Sequence, residues 1–143
     1  SEEEAAARKA DSWWYQRRHA GGSLQDYLGY GVTLGTWFLG GRAPEEVTCV
    51  TDDPPGLEVD EHAIVVCRYG SPVQTQEVPE GFDLPVDTLP PTLRDPIGHL
   101  VHHLESGAPL HGPLDPVLCR IGQRIVDSAA LSAREKRTVR LLP

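Results

Sequence analysis

A segment with helical periodicity lies between two glycine pairs, Gly21-Gly22 and Gly40-Gly41. Its apolar residues recur at three- and four-residue intervals: Leu24, Tyr27, Leu28, Leu34, Trp37 and Phe38. This is the spacing of one face of an α-helix. Ser23 is a suitable N-cap, and the second glycine pair is a suitable stop because glycine readily adopts the left-handed conformation that ends helices. The sequence therefore predicts one helix from Ser23 to Gly40-Gly41.

Three further glycines, Gly29, Gly31 and Gly35, lie inside this predicted helix. Each costs a helix about 1 kcal/mol relative to alanine, so their presence indicates that another backbone or a ligand approaches closely. Their spacing differs from the Gly-x-Gly-x-x-Gly pattern of nucleotide-binding loops, and no predicted strand precedes them. We therefore do not interpret them as a phosphate-binding loop.

Asp26 and Tyr30 are four residues apart in the same segment, so a helix would place both side chains on one face, where they could contact one ligand. A tyrosine transfers protons to a hydroxyl efficiently only if a nearby positive charge lowers its pKa, and a carboxylate acts in the opposite direction. The cation would have to come from elsewhere. Taken alone, such a pair is more often an ordinary helix surface than a site.

The segment just before the glycines is aromatic and then basic, with Trp13-Trp14-Tyr15 followed by Arg17-Arg18-His19. Aromatic residues of this kind most often cover the core, although they also line ligand pockets. The basic residues could bind an anionic ligand, but a short basic cluster is usually solvent-exposed. Both interpretations remain open from the residues alone.

The rest of the chain alternates between strand and helix patterns. Two runs rich in β-branched residues, Glu46–Thr51 and His62–Tyr69, predict strands, and Val73–Val78 predicts a weaker one. A proline-rich extended crossing, Pro79–Pro91, follows.

Two helices are predicted next, and both begin with an Asp-Pro pair, in which the aspartate is the N-cap and the proline the first helical residue. The first runs from Asp95 to Ser106-Gly107, and the second from Asp115 toward Lys136. Thr138–Leu142 predicts a final strand that returns to the sheet. The whole pattern predicts a single α+β domain over residues 1–143.

The 143 residues are 39% hydrophobic and carry a formal net charge of −8, which fits one globular domain. The scattered basic residues argue against a nucleic-acid surface. The odd set of distant cysteines, Cys49, Cys67 and Cys119, predicts buried free thiols and favours a reducing compartment. No apolar run is long enough to span a bilayer. We expect a cytoplasmic protein, or a periplasmic one if a signal lies upstream.

The histidines of the first Asp-Pro helix form the remaining candidate site. His99 and His103 would share one helical face, as two metal ligands can, with His102 beside them. No third ligand is indicated, so solvent-facing histidines are the better interpretation, and we predict no metal site.

Two parts of the chain carry a family resemblance. Residues 20–40, Ala-Gly-Gly-Ser-Leu-Gln-Asp-Tyr-Leu-Gly-Tyr and onward, resemble the Gly-Gly-Gly-x-Leu-x-Asp-x-x-x-His/Tyr segment of the Gfo/Idh/MocA oxidoreductases. Residues 95–142 are similar to the closing helices and last strand of that family. Tyr30, where histidine is commoner, points to the glucose-fructose oxidoreductase branch.

The resemblance implies the C-terminal domain of an NAD(P)-dependent enzyme that acts on sugars or cyclic polyols by hydride transfer. Its fold would be α+β, with helices packed on one face of an antiparallel sheet that is shortened here. Tyr30 would exchange the proton, aided by a lysine of a Glu-Lys-Pro motif in a separate nucleotide-binding domain. Asp26 would orient the substrate. Trp14, Tyr15 and Arg18 would line the pocket, and the sheet face would support a homo-oligomer.

These residues contain neither a nucleotide-binding loop nor a Glu-Lys-Pro motif. By themselves they are expected neither to bind NAD or NADP tightly nor to convert a substrate. The nucleotide-binding Rossmann domain is an expected partner. A second hypothesis is a non-catalytic binding or scaffold module that kept the fold without the nucleotide domain.

Overall fold

The structure is a computed structural model that describes residues 9–70, 90 and 93–143. Its sheet contains β1 (Glu46–Asp52), β2 (His62–Arg68) and β3 (Val139–Arg140) in the order β2-β1-β3. Both pairings are antiparallel. The α+β class and the antiparallel sheet are therefore confirmed.

The two long strands pair along their full length, from Glu46 opposite Arg68 to Asp52 opposite His62. β3 pairs only with the first two residues of β1, through Arg140 and Val139. The predicted return of the chain to the sheet is confirmed, over a shorter span than expected. The predicted strand Val73–Val78 and most of the proline-rich crossing lie outside the described residues.

The long helix Pro116–Glu135 and the short helix Ser23–Asp26 lie against one face of this sheet. On that face, Val47 and Cys49 of β1 are buried and pack with Ile125 and Ala129 of the long helix Pro116–Glu135. On the opposite face, the side chains of Val50, Ile64 and Val66 are 64%, 70% and 60% exposed. Successive strand residues point to opposite faces, so this difference follows from covering one side only.

The Asp-Pro helices begin and end as the sequence predicts. In the helix Pro96–Ser106, the Asp95 side chain accepts hydrogen bonds from the backbone N–H groups of Ile97 and Gly98, and Gly107 ends it with a φ of 67°. In the helix Pro116–Glu135, the Asp115 side chain accepts from the N–H of Val117, and Lys136 is left-handed. Both N-caps satisfy backbone donors that the first helical turn leaves unpaired.

Two serines of the long helix hold it to the chain segments beside it. The Ser132 hydroxyl accepts a hydrogen bond of 2.9 Å from the Cys49 N–H and donates to the Arg137 carbonyl. The Ser128 hydroxyl accepts from the Leu142 N–H at 3.0 Å. Since β3 ends after two residue pairs, Ser132 supplies the acceptor that a longer β3 would otherwise offer to this part of β1.

The prediction of one continuous central helix is wrong. The segment forms α1 (Ser23–Asp26) and α2 (Leu28–Phe38), separated at Tyr27, and the N-cap is Gly22 rather than Ser23. The Tyr27 ring packs on Trp14, with ring centroids 6.3 Å apart, and this contact lies at the break. We number the two Asp-Pro helices α3 (Pro96–Ser106) and α4 (Pro116–Glu135).

The interior glycines of α2 also differ from the prediction. Among the described residues, a Cβ built on Gly29, Gly31 or Gly35 would meet no atom of another segment within 4 Å, so no close backbone approach within them explains these glycines. The tight contact between α2 and α4 instead lies at Gly122 of α4, where a Cβ would come within 2.5 Å of the Thr33 hydroxyl oxygen. The glycine that permits close helix packing is therefore on the partner helix.

The three cysteines are free thiols, but only Cys49 is buried. Burial raises its pKa from 9.0 to about 11, and burial also raises the pKa of the half-buried Cys67. The prediction that all three are buried is wrong for Cys119, which is exposed on the first turn of α4 and whose Sγ lies 3.3 Å from the Pro113 carbonyl oxygen. Among the described helices, none is both long and apolar enough to cross a membrane.

Candidate functional site

The glycine pair that precedes α1 packs tightly against two other segments. The Gly22 N–H donates to the Trp14 carbonyl at 2.8 Å, and a Cβ on Gly21 would lie 2.0 Å from that same carbonyl oxygen. Gly22 has a φ of 93°, and a Cβ there would come within 2.9 Å of Val59 and of the Asp60 carboxylate. Both positions therefore require glycine for close approach.

Asp60 fixes the start of α1 from the connection between β1 and β2. Its carboxylate accepts a hydrogen bond of 2.9 Å from the Leu24 N–H, and its carbonyl accepts one of 3.3 Å from the Ser23 N–H. The Asp60 residue is 7% exposed. No motif in the sequence marks Asp60, and the nearest sequence signal of its role is the glycine pair that it contacts.

Asp26 is held by an aromatic side chain. The Trp14 indole N–H donates to Asp26 Oδ2 at 3.0 Å, and the Trp14 ring contacts Tyr15 edge to face with centroids 4.8 Å apart. Asp26 is half-buried at the end of α1. The carboxylate therefore has a fixed position, while its second oxygen accepts no hydrogen bond from a protein group in the described part of the chain.

Tyr30 lies one turn further along, in α2, and is 69% exposed. Its N–H donates to the Tyr27 carbonyl at 3.2 Å, across the break between the two helices. Within the described residues, the Tyr30 phenol and the Asp26 carboxylate form no hydrogen bond with each other. The structure thus places the two predicted site residues on consecutive helical turns, one anchored and one open to solvent.

Tyr15 belongs to a separate polar cluster. Its hydroxyl donates to Glu61 at 2.9 Å, Lys9 Nζ binds the same oxygen at 2.7 Å, and the Lys9 ammonium lies 5.6 Å from the Tyr15 ring centroid. The hydrogen bond to Glu61 raises the pKa of Tyr15. This cluster therefore favours the neutral phenol, which does not suit Tyr15 to act as a base.

Arg18 also has its own partner, because its guanidinium donates to Gln16 Oε1 at 2.9 and 2.7 Å. Of the three predicted pocket-lining residues, Trp14 is the one that contacts Asp26 directly. Tyr15 is joined to the site through its contact with the Trp14 ring. The hydrogen bonds of Arg18 reach neither Asp26 nor Tyr30.

A metal centre is not indicated in the described ranges, where no group of three His, Cys, Asp or Glu side chains could hold an ion. The His99 and His103 rings do lie together, with centroids 4.4 Å apart. The glycine pair offers no cradle for phosphates, because the space beside Gly21 and Gly22 is filled by Trp14, Val59 and Asp60.

Comparison with known proteins gave one informative match. Neither the curated proteins nor the solved structures include a match to this chain. The family profile described as the GFO/IDH/MocA C-terminal domain matches residues 2–76, which include the glycine pair, Asp26, Tyr30 and both long strands. The chain belongs to the GFO/IDH/MocA C-terminal domain family.

Proposed function

We propose that this chain is the substrate-binding part of an NAD(P)-dependent oxidoreductase that acts on a sugar or a cyclic polyol by hydride transfer. The family is the C-terminal part of the Gfo/Idh/MocA oxidoreductases. The observation that supports the proposal is the Asp26 carboxylate, fixed by Trp14 at 3.0 Å, one helical turn before an exposed tyrosine.

Asp26 is suited to orient a hydroxylated substrate. One of its oxygens accepts from the Trp14 indole, which leaves acceptor capacity for substrate hydroxyl groups. Hydrogen bonds to an ionised carboxylate are about twice as strong as those between neutral groups. Because the indole limits rotation of the carboxylate, a bound hydroxyl would be held in a defined direction.

Tyr30 is the group that would exchange a proton with the substrate. Its hydroxyl is accessible, as contact with a substrate requires. A phenol near neutral pH needs a neighbouring cation to transfer a proton efficiently. In our proposal, that cation is a lysine of the nucleotide-binding domain, which lies outside these residues.

The cofactor would be held by that other domain, since the glycine pair Gly21-Gly22 is packed against Trp14 and Asp60 and offers no phosphate cradle. When bound, a nicotinamide accepts or donates the hydride. The open space beside Gly29, Gly31 and Gly35 is consistent with a neighbouring domain coming close to α2 without obstruction by side chains. This would give the interior glycines the close approach that the isolated chain lacks.

We also propose that the open face of the sheet supports a homo-oligomer. Val50, Ile64 and Val66 are the exposed apolar residues of that face, and Val50 and Ile64 are directly paired across β1 and β2. An exposed apolar patch of this kind is typical of an association surface. Sedimentation velocity of Ile64→Lys should then show a smaller species than the parent chain, and identical profiles would contradict the proposal.

The catalytic assignment can be tested by joining the chain to a family nucleotide-binding domain and measuring sugar- or polyol-dependent reduction of NAD and NADP. For an active combination, we expect Tyr30→Phe to lower kcat/KM by about 10²- to 10⁴-fold. The matched control is Tyr27→Phe, three residues away and 61% exposed, which should retain activity. Asp26→Asn should weaken substrate binding.

If Tyr30→Phe leaves kcat/KM unchanged, the proton-transfer role is wrong. If no combination is active, calorimetry would measure whether the joined polypeptide binds NAD or NADP. Absence of binding would show that the nucleotide-binding domain is not functional, whereas binding without activity would show that this chain does not support the reaction. Nucleotide binding without turnover across a sugar and polyol panel would favour the non-catalytic module instead.

A further inference from the structure

A cavity of about 650 Å³ lies beside α1 but does not include Asp26 or Tyr30 among its lining residues. One wall is formed by Gly21, Leu24 and Gln25, and another by the connection between β1 and β2, from Asp53 to Asp60. The last turns of α4, including Arg134, line a further side, and the cavity is open to solvent. Its volume is within the range of small-molecule sites.

Several charged groups of this cavity are already satisfied by the protein. The Arg17 guanidinium donates to the Glu58 carbonyl, and the Arg17 N–H donates to the Glu58 carboxylate at 3.1 Å. The Asp60 carboxylate accepts from the Leu24 N–H. Arg17, Glu58 and Asp60 therefore maintain the shape of the cavity and have less capacity for a ligand.

Two charges of opposite sign remain on the walls. In the part of the chain that the structure describes, Arg134 makes no hydrogen bond or ion pair, although its residue lines the cavity. From the residues that the structure describes, Asp53 accepts only a 3.3 Å hydrogen bond, donated by the nearby Thr51 hydroxyl. Gln25 adds an amide with no protein partner within the described ranges.

We propose that this cavity binds a small zwitterion, with its carboxylate on Arg134 and its ammonium group on Asp53. A guanidinium forms paired hydrogen bonds with a carboxylate, and a carboxylate is a strong acceptor for an ammonium group. A simple anion would meet the carboxylates of Asp53, Glu58 and Asp60, and a simple cation would meet the guanidinium groups of Arg17 and Arg134. A ligand with both charges avoids each repulsion.

The distance between ammonium and carboxylate can be scanned with a homologous series: glycine, β-alanine, 4-aminobutyrate and 5-aminovalerate. Binding to the 143-residue chain would be followed by amide chemical shifts in NMR titrations. We expect at least one member to bind at least about tenfold more tightly than its single-charge analogues, for example butyrate and butylamine for 4-aminobutyrate. The uncharged polyol erythritol serves as a further comparison.

Two variants test the assigned contacts. Arg134→Gln and Asp53→Asn should each weaken the best zwitterion by about tenfold or more. The matched controls are Arg120→Gln, exposed on the same helix, and Asp52→Asn, the neighbour of Asp53, because neither residue lines the cavity. Thermal unfolding would verify that all four variants fold.

The proposal is overturned if no member of the series binds below roughly 10 mM, or if erythritol or a single-charge analogue binds as tightly. The proposal is also overturned if Arg134→Gln and Asp53→Asn bind the best zwitterion as tightly as the parent chain does. Tyr30→Phe should leave zwitterion binding unchanged, so this result does not depend on the function proposed for the Asp26 site.

Discussion

The N–H of Leu24 donates a buried hydrogen bond of 2.9 Å to the carboxylate of Asp60, which lies 36 positions later in the chain. This bond joins the first turn of α1 to the connection between β1 and β2. Because Asp26 ends that same helix, Asp60 positions the candidate site without contacting it. Its contribution can be measured as stability.

Replacing Asp60 with alanine should lower the free energy of unfolding by about 1–3 kcal/mol, because the Leu24 N–H would lose its acceptor while remaining buried. Urea denaturation monitored by circular dichroism measures this loss. The control is Asp52→Ala at an exposed position, which should change stability by less than about 0.5 kcal/mol. Equal losses in the two variants would contradict the structural role of Asp60.

Two glycine replacements should act in opposite directions. Gly22→Ala places a Cβ within 2.9 Å of Val59 and Asp60 at a φ of 93°, so it should destabilise the chain by more than about 1 kcal/mol. Gly31→Ala enters open space within α2 and should stabilise it by about 0.4–1 kcal/mol. Thermal unfolding of the two variants and the parent chain would measure both changes in stability. Stabilisation by Gly22→Ala would show that the glycine turn is not tightly packed.

The Lys9–Glu61–Tyr15 cluster should make stability depend on acid pH. The hydrogen bond from Lys9, and then that from Tyr15, lowers the pKa of Glu61 below its ordinary 4.5. A carboxylate with a lowered folded-state pKa stabilises the fold above its unfolded-state pKa, and this contribution is lost as pH falls through the folded-state value. Glu61→Gln should therefore be less stable than the parent chain near neutral pH, with the difference shrinking in acid.

Melting temperatures of both proteins, recorded from about pH 7 down to about pH 3, would measure this difference. Lys9→Met offers a second comparison, because it removes the first-named cause of the shift while keeping Glu61. The dependence of its melting temperature on pH should have the same shape as that of Glu61→Gln. A constant gap between the parent and Glu61→Gln at all these pH values would contradict the assignment.

The thiols should differ in reactivity. Cys119 is exposed, whereas burial raises the pKa of Cys67 and brings that of Cys49 to about 11. Because the thiolate is the reactive form, a disulfide reagent at about pH 8 should label one thiol rapidly in the native chain and all three in denaturant. Cys119→Ser should remove the rapid phase. If the rapid labelling phase were lost in Cys67→Ser and kept in Cys119→Ser, this order of thiol reactivity would be contradicted.

The helices α3 and α4 could be predicted from the sequence because their boundaries are encoded locally. Asp95 and Asp115 cap backbone N–H groups within three residues of themselves, and Gly107 provides the left-handed stop that glycine favours. The strands β1 and β2 were predictable for a similar reason, since β-branched residues fill each run between turn residues.

The break at Tyr27 could not be predicted in this way, because it lies where the Tyr27 ring meets Trp14, thirteen residues earlier in the chain. The role of Asp60 was hidden for the same reason, as its partner is a backbone N–H rather than a recognisable side chain. Asp26 and Tyr30 were identified by their spacing, but the Trp14 bond that fixes Asp26 depends on the folded arrangement.

The hydrogen bond between Trp14 and Asp26 also gives the candidate site an intrinsic optical reporter. A ligand that competes for the Asp26 carboxylate would change the polarity around the Trp14 indole and hence its fluorescence emission. Trp13 and Trp37 are 56% and 41% exposed, so phenylalanine at both positions would isolate that signal. Ligand binding at the Asp26 site could then be followed by tryptophan fluorescence, without a cofactor and without turnover.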